Sequence, residues 1–494
     1  MTEQLPALQI LITMMAAPLC VLVRHARISW AIALVANAFA CWVAWQLLQQ
    51  VQATGPIRYA LGGWAAPTGI EYYIDTVNAA VLLVVSGIST LVLVYAYKSV
   101  SKSVPLTKHY LFYSAWLLCV TGLMGIVITG DAFNVFVFLE VSSLATYMLI
   151  SFGNDRRALT ASFRYLVLGS VGASFILIGI GFLYAATGSL NMIDLSSRIP
   201  DSESQRAVLV AFSFITIGVL IKAAVFPLHA WLPNAYTYAP VAVTAFLAGT
   251  ATKVSLYVLL RFFFSIFGEE YSFGQLFLNT ILLPAAVAGF LLMSLVAIFQ
   301  TDLRRMLAFS SVAQIGYIVA GFSLASQSGL TAGIVHIVNH AMIKASLFMA
   351  VGCIIYRIGH AHRPSLDNLF KRMPFTCVAF IISGFSLIGV PLTGGFVSKF
   401  MLINAAMERD MWILSGLILV SSLMAVIYVG RVMEVMLFRE SRQTQPESVG
   451  VSEAPVSMLI PLYVLVTMGL YFGINGSATL KVAGDAARQL LGGF

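Results

Sequence analysis

Apolar stretches of about 20 residues follow one another through almost the whole chain, and this is the length that a helix needs to cross a bilayer. We expect about 14 such spans. Their predicted limits are 5–23, 28–50, 74–97, 109–128, 131–152, 161–187, 208–230, 240–267, 274–300, 303–324, 328–356, 375–406, 411–438 and 455–477. Only 10% of the residues are charged, whereas a soluble domain has about 25%. The sequence therefore predicts an all-α polytopic membrane protein without a soluble domain of useful size.

The loops between these spans differ in charge according to their side. Alternate loops on one side hold 17 lysines and arginines, and the loops on the other side hold 6. By the positive-inside rule the first side is cytoplasmic, so both termini face outwards. We predict a multi-pass protein of the bacterial cytoplasmic (inner) membrane, with an external loop at 189–207 and a flexible cytoplasmic loop at 440–456. Arg261, near the end of the eighth span, is expected at the interface.

The most unusual stretch lies between residues 217 and 254. Lys222 stands in the middle of one apolar run, this run breaks at Pro227, and Lys253 lies about as deep in the next run. A lysine at the centre of a membrane helix costs about 2.5–3.5 kcal/mol on insertion scales. A proline inside such a helix frees backbone carbonyl groups that need a wet or protein-lined surrounding. Both costs in one stretch indicate an ion path rather than a plain anchor.

A second interrupted stretch lies at residues 385–401. Pro391 and two glycines break the apolar run, and Lys399 lies close to the break. Two interrupted spans in corresponding halves of a chain are typical of a duplicated transporter core. The two stretches are too different in sequence to prove a duplication by themselves.

A single carboxylate, Glu140, is predicted near the middle of the fifth span. It lies nine residues from Asp131, which places it about 13–14 Å into the membrane at 1.5 Å per residue. An isolated carboxylate at this depth would take up a proton, so a charged Glu140 needs a partner, and Lys222 is the most plausible one. The alternative is a structural ion pair that only locks two helices, although such a pair gains little over apolar packing.

Lys222 and Lys253 are candidate proton carriers. A carboxylate that approaches a buried lysine stabilises its charged form, and a carboxylate that withdraws allows the lysine to release its proton. The alternative for both lysines is that the side chain extends along the helix to place its charge at the interface. The central depth of Lys222 disfavours this alternative. For Lys253 the alternative is somewhat stronger.

The eleventh span carries His336, His340 and Lys344 at a spacing of four residues, which places them on one face of a helix. A histidine titrates near neutral pH and relays protons, so this row favours a proton relay. A purely structural role is the main alternative. A metal site is disfavoured because no acidic or cysteine ligand lies nearby in sequence.

Further polar residues could belong to a half-channel. Ser310, Ser311 and Gln314 in the tenth span could hold water between the lysines, although such residues also mediate helix contacts. His229, beside Pro227, could connect Lys222 to the cytoplasm, and a hydrogen-bonded loop histidine is an equal alternative.

Together these residues resemble the antiporter-like membrane subunits shared by complex I, membrane-bound hydrogenases and Mrp-type multisubunit cation/proton antiporters. The motif LIKAAVFPLHAWLPNAYTYAPV is very specific to this family. The resemblance implies a lateral row of charges at mid-membrane. The residues that match it are Glu140, Lys222, Lys253, His336, Lys344 and Lys399, and His340 joins them through its helix face.

The same resemblance implies two inverted five-helix repeats, spans 4–8 and 9–13, each with a half-channel to one side and with broken helices at spans 7 and 12. The implied organisation is an N-terminal three-helix segment (1–108), a first repeat (109–267), a second repeat (274–438) and a C-terminal helix and tail (455–494). Within the family, the length and the stretch TGDAFNVFVFLE resemble most the D subunit of Mrp-type antiporters. Lys399 argues against the complex I subunits with glutamate there, but one complex I subunit also has lysine.

We therefore expect a non-enzymatic, proton-translocating subunit of a multisubunit monovalent cation/proton antiporter, without a cofactor or a metal. The alternative is a proton-pumping subunit of a complex I-like oxidoreductase or a membrane-bound hydrogenase, and a scaffold that conducts nothing is disfavoured by the buried charges. The expected partners are other subunits of a hetero-oligomeric complex, H+, a monovalent cation such as Na+, and membrane lipid, but no nucleic acid. No cluster of aspartate and asparagine reads as a sodium site, which favours a cation path in a partner subunit.

Overall fold

A computed structural model describes residues 2–439 and 452–493. Most of the predicted cytoplasmic loop 440–456, including Arg442, lies outside the described residues. The helices are α1 (Leu5–Val23), α2 (Ala26–Thr54), α3 (Thr76–Ser103), α4 (His109–Ile128), α5 (Ala132–Ser151), α6 (Arg157–Thr187), α7 (Met192–Arg198), α8 (Gln205–Lys222), α9 (Leu232–Tyr238), α10 (Val241–Gly249), α11 (Ala251–Leu260), α12 (Asn279–Ile298), α13 (Leu303–Ser323), α14 (Gln327–Ile358), α15 (Leu369–Arg372), α16 (Pro374–Ile388), α17 (Gly394–Met407), α18 (Trp412–Phe438), α19 (Val456–Ile474) and α20 (Ser477–Leu491). Two short strands, β1 (Ile57–Ala60) and β2 (Glu71–Ile74), pair antiparallel between α2 and α3.

The polytopic helical fold is confirmed. In the described part of the chain, 13 helical stretches are long and apolar enough to cross a membrane. The pair α16 and α17 occupies the place of the predicted twelfth span, so the expected fourteen spans are accounted for. A helix satisfies its own backbone hydrogen bonds, which is why apolar runs of this length become helices in a bilayer. The inverted repeats and the limits of the four predicted segments stay predictions.

Polar residues begin several of these helices and explain where they start. The side chain of Asp131 accepts a hydrogen bond from the N–H of Asn134 at the start of α5. Asp302 does the same for α13 and Ser326 for α14. Such side chains satisfy N–H groups that have no partner within the helix. They fix the ends of the helices that carry the candidate site.

Helix α14 is the centre of the bundle. It packs against α3, α10, α13, α16, α17, α19 and α20, and most of its residues are buried. Its 32 residues place a long polar row in contact with both halves of the protein. Among the elements at the predicted relay, α10, α16 and α17 pack directly against α14.

Two helices lie in segments that were predicted to be loop or tail. Helix α7 occupies the middle of the predicted external loop 189–207. Helix α20 follows the last span and packs against α3 and α14, and its apolar residues Ala483, Ala487 and Leu490 are buried. The side-chain oxygen of Gln489 also accepts a hydrogen bond from the N–H of Thr76 at the start of α3. These contacts explain why the C-terminal tail is helical.

Candidate functional site: a row of buried lysines and histidines

The row begins where α5 contacts the end of α8. Lys222 is the last residue of α8, and its Nζ lies 3.9 Å from Oε1 of Glu140 on α5. Nζ also donates a hydrogen bond to the hydroxyl of Ser143, over 2.9 Å. The lysine side chain is only 4% exposed and that of the glutamate is 28% exposed. The structure therefore brings the two predicted partners together, with a partly exposed glutamate side chain and a buried lysine side chain.

A small cavity lies beside this pair. Its volume is 20 Å³, and it is lined by Ser143, Thr146, Lys222 and Ser255, among others. A cavity of this size with several polar groups has room for one water molecule. A water there would connect the ammonium of Lys222 with hydroxyl groups of α5 and α11.

The break after Lys222 is closed by aromatic side chains. Helix α8 ends directly before it, and the indole N–H of Trp231 donates to the carbonyl oxygen of Ile221 over 2.9 Å. Pro227 lies in the break itself. His229 stacks on Phe226 with a centroid separation of 5.4 Å, and its Nδ1 has no hydrogen-bond partner among the described residues. The donor at the first break is thus a neutral indole group. His229 lies beside the break in a half-buried position.

Lys253 lies at a further interruption, in the eighth span. Helix α10 ends at Gly249 and α11 begins at Ala251. The side chain of Lys253 is fully buried and donates hydrogen bonds to the carbonyl oxygen of Ala248 and to the hydroxyl of Thr252. Because the ammonium binds the backbone of its own span, it does not extend to the interface. This break contains no proline, and its one sequence signal is the Gly-Thr pair at residues 249–250.

The histidine row on α14 connects several helices. His336 contacts the hydroxyl of Ser398 on α17 through Nδ1 (2.7 Å) and Oε1 of Gln314 on α13 through Nε2 (2.9 Å). The ring of His340 stacks on that of His336 with centroids 6.0 Å apart. Both ring nitrogens of the buried His340 have no hydrogen-bond partner among the described residues. His336 is therefore fixed between two helices, and His340 retains its full capacity to bind water or a proton.

Lys344 continues the row one turn further along α14. Its Nζ donates to the carbonyl oxygen of Leu307 over 3.0 Å and to the hydroxyl of Ser310. Ser311 donates to the same carbonyl oxygen over 2.9 Å. The structure therefore places Ser310 and Gln314 in direct contact with row residues, while Ser311 reaches the row only through the shared carbonyl group.

Lys399 ends the row at the second break. Its Nζ donates to the carbonyl oxygens of Leu387 (3.0 Å) and Ile388 (2.9 Å) and to the hydroxyl of Ser422 (3.3 Å). It also lies 4.9 Å from the centroid of the Tyr317 ring. Pro391 explains why the carbonyl group of Leu387 is free. A helix that continued would bond the oxygen of Leu387 to the N–H of residue 391, and proline has none.

Three of the four buried lysines thus share one feature. Lys253, Lys344 and Lys399 donate to backbone carbonyl groups and hydroxyl groups, and only Lys222 forms an ion pair with a carboxylate among the described residues. Neutral oxygens stabilise an ammonium less than a carboxylate does. The row therefore contains one paired cation and three cations that are held by dipoles.

A second buried ion pair was not anticipated from the sequence. Arg261 was expected at the interface, but it is only 3% exposed, and its guanidinium lies 2.6 Å from a carboxylate oxygen of Asp75. Its Nε donates to the hydroxyl of Tyr257 over 2.8 Å. Asp75, just before α3, is too far from Arg261 along the chain to be recognised as its partner. The position of Arg261 at the interface stays a prediction. This pair ties α3 to the π-helical segment Arg261–Ile266 that follows α11.

The fold and these side chains define a class of protein: polytopic helical membrane proteins with a row of buried lysines and histidines along interrupted helices. The chain belongs to the family described as "NADH:quinone oxidoreductase/Mrp antiporter, TM", which matches residues 129–425. This confirms the family that the sequence motif indicated. The matched region runs from the start of α5 into α18 and includes every residue of the predicted row.

Relatives with two different names resemble this chain over most of its length. It is 40% identical to the N subunit of the NADH-quinone oxidoreductase of Desulforudis audaxviator, over 84% of this chain and 85% of the relative. It is 30% identical to the D subunit of the Na(+)/H(+) antiporter of Bacillus subtilis, over 92% of this chain and 90% of the relative.

Solved structures show the same duality. A chain of the Mrp complex from a Dietzia species matches with a TM-score of 0.89 and 26% identity, over 99% of this chain and 97% of the other. A chain of the membrane-bound sulfane sulfur reductase, an archaeal respiratory membrane complex, matches with a TM-score of 0.91 and 30% identity, over 99% and 98% of the two chains. The fold is therefore shared by an antiporter complex and a respiratory complex.

Proposed function

We propose that this chain is the proton-translocating subunit of a multisubunit monovalent cation/proton antiporter in a bacterial cytoplasmic membrane. The observation that carries the proposal is the ion pair between Lys222 and Glu140 at one end of a row of buried lysines. The side chain of Glu140 is 28% exposed and its Oε1 lies 3.9 Å from Nζ of Lys222, so the pair is loosely held. A small movement of α5 would weaken the pair and favour release of a proton from Lys222.

The other buried lysines accept the proton that Lys222 releases. Each of them is held by neutral oxygens, so each has a charged and an uncharged form that differ little in local contacts. A charge on one lysine disfavours a charge on the next, and protons therefore redistribute along the row when Lys222 gains or loses its own. His336 and His340 would carry protons between the lysines, since their rings stack on each other and His336 contacts Ser398, the neighbour of Lys399 in α17.

Four further features belong to the proposal. The chain acts as a transporter subunit without catalytic chemistry of its own. It works with other membrane subunits, since its relatives are named as subunits of larger complexes. It exchanges H+ for a monovalent cation such as Na+, as the names of the antiporter relatives indicate. Residues 109–267 and 274–438 form the two inverted repeats.

The test uses the complete gene set in a host that lacks its own sodium/proton antiporters. Everted membrane vesicles are assayed for Na+-dependent proton movement with a pH-sensitive dye. Glu140→Gln and Lys222→Met should each lower exchange by about tenfold or more, since each removes a charged interaction worth at least about 1.4 kcal/mol. Glu203→Gln, a matched change on the exposed segment before α8, should leave exchange unchanged. Full exchange in both buried variants would refute the proposal.

A redox-driven proton pump is the second candidate, because the relative with 40% identity is named as a subunit of an NADH-quinone oxidoreductase. In that case membranes supplied with an electron donor would acidify without added Na+, and Glu140→Gln would abolish this acidification. Exchange of Na+ for H+ in the absence of electron transfer would instead support the antiporter. The two candidates share the same row and differ in the subunits that drive it.

A further inference from the structure

The surroundings of the Lys399 ammonium have the composition of a cation site. Its three hydrogen-bond acceptors are the carbonyl oxygens of Leu387 and Ile388 and the hydroxyl of Ser422. We call these three oxygens the Lys399 cradle. None of them carries a formal charge, and all three lie within 3.3 Å of one point, the position of Nζ. Carbonyl and hydroxyl oxygens are the ligands that replace the hydration shell of a monovalent cation.

The helix ends at this point, which leaves these carbonyl oxygens without a donor from the helix itself. Helix α16 ends at Ile388, and Pro391 cannot donate to the carbonyl oxygen of Leu387. The last carbonyl groups of a helix also carry a partial negative charge. Exposed carbonyl groups at the end of a half-helix coordinate Na+ in several secondary transporters. The cradle therefore provides both the free oxygens and the dipole that a small cation requires.

At the first break, the free carbonyl oxygen has a different hydrogen-bond donor. There the indole N–H of Trp231 occupies the carbonyl oxygen of Ile221, and a neutral, fixed donor excludes a cation. At the second break the donor is an ammonium on a flexible stem. Gly389 adopts a φ of +93°, and a Cβ atom there would lie 3.1 Å from Cδ of Lys399. The glycine thus leaves the space through which the lysine stem passes and along which it could withdraw.

Access to the cradle is also present. Pro391 and Leu392 of the break lie at the lateral surface of the bundle, and Leu392 is 68% exposed. Ile388, which supplies one of the cradle oxygens, lies only three residues before Pro391, so the cradle is close along the chain to this exposed segment.

We propose that the Lys399 cradle binds a dehydrated monovalent cation of the Na+ class in exchange with the ammonium group of Lys399. Lys399 gives up its proton, the resulting amine leaves the cradle, and the cation takes its place, so one positive charge replaces another. The proton passes toward His336, whose Nδ1 contacts Ser398 next to Lys399. This inference rests on the proposed antiporter function and places the cation in this chain, whereas the sequence favoured a partner subunit.

Several titratable groups surround the cradle and belong to any account of its pH dependence. They are Tyr317 on α13, His336 and Lys344 on α14, and Tyr428 on α18. Helices α16 and α19 contribute no charged residue. Among the groups around the cradle, Lys399 is the one whose ammonium occupies it, so its protonation competes directly with cation binding.

The test is binding of ²²Na+ to the purified, fully assembled complex by equilibrium dialysis between pH 6 and pH 9. In the wild type the affinity should rise by up to about tenfold per pH unit, because one proton competes with one cation. In Lys399→Ala the complex should bind Na+ at low pH and lose most of this pH dependence. Ser422→Ala, which keeps the lysine, should weaken binding by about threefold to tenfold.

Ser415→Ala is the matched control, because Ser415 lies two turns away on the same helix and donates to the carbonyl oxygen of Ile403. It should bind Na+ as the wild type does. Unchanged affinity and pH dependence in both Lys399→Ala and Ser422→Ala, or no Na+ binding by the assembled wild type, would overturn the inference. If this happens while Glu140→Gln still lowers exchange by about tenfold or more, the proposed function stands without the cradle. Full exchange in both Glu140→Gln and Lys222→Met refutes the proposed function itself.

Discussion

Lys222 and Glu140 face each other across 3.9 Å, a separation too long for a direct hydrogen bond. The ammonium group instead donates to Ser143, one turn further along α5, over 2.9 Å. Oε1 of Glu140 has no hydrogen-bond partner among the described residues. The carboxylate therefore acts on the lysine through its charge, while the serine fixes the position of the lysine. Because these two roles fall to different residues, Glu140 can move away from Lys222 while Ser143 still holds the lysine side chain in place.

Ser143→Ala should slow proton movement without abolishing it. A hydrogen bond to a charged group contributes about 1.5–3 kcal/mol, so we expect cation/proton exchange to fall by about tenfold to a hundredfold. The measurement is the initial rate of exchange in everted vesicles with equal amounts of assembled complex. Ser151→Ala, on the last turn of α5, removes only a bond to the carbonyl oxygen of Met148 and should have no effect. Equal rates in the two variants would contradict the role assigned to Ser143.

The pair between Arg261 and Asp75 should stabilise the protein rather than carry protons. Both side chains are buried, at 3% and 5% exposure, and removal of one partner from a buried pair costs about 3–5 kcal/mol. Arg261→Met should therefore lower the thermal midpoint of the purified complex markedly. The double variant Arg261→Met with Asp75→Asn should recover part of this loss, since no uncompensated carboxylate remains.

An exposed pair supplies the comparison for this experiment. Arg157 and Asp155 form a salt bridge at the surface, and Arg157 holds the pKa of the Asp155 carboxyl below its usual value. Solvent screens such a pair, so Asp155→Asn should leave the thermal midpoint unchanged. A drop as large as that of Arg261→Met would show that burial does not decide the stability contribution of these pairs.

The features that the sequence predicts well are those with a local physical cause. The spans follow from the apolar length that a bilayer demands, and the breaks near Pro227 and Pro391 follow from the missing N–H of proline. The partners Ser143 and Ser422 could not be predicted, because each belongs to a different helix from the lysine that it contacts, and the packing of two helices cannot be read from either helix alone. The interruption before Lys253 also escaped notice, since a Gly-Thr pair is compatible with an unbroken helix.

Glu453 should anchor the start of the broken span. Its carboxylate accepts hydrogen bonds from the N–H groups of Phe375 (2.8 Å) and Thr376 (3.3 Å) at the beginning of α16. Its backbone oxygen accepts from Nε of Arg357 at the end of α14. Loss of a capping side chain costs about 0.5–2 kcal/mol, so Glu453→Ala should lower the thermal midpoint and speed proteolysis near α16. Glu453→Gln, which keeps an acceptor oxygen, should have a smaller effect. The same loss in both variants would contradict a capping role.

Gly395, at the start of α17, tests how tightly the second break is packed. A Cβ atom at this position would lie 1.7 Å from the carbonyl oxygen of Ser386, on the half-helix that precedes the break. Backbone cannot yield as a flexible side chain does, and overpacking costs about 1–3 kcal/mol or more. Gly395→Ala should therefore separate α17 from α16, displace Lys399 from its carbonyl partners and reduce the amount of assembled complex in the membrane severalfold. Gly416→Ala, on the exposed side of α18 with no atom within 4 Å of the added methyl group, should assemble normally. Quantitative immunoblots of membranes that express each variant measure this difference, and equal amounts of assembled complex would show that the two half-helices are not held in direct contact.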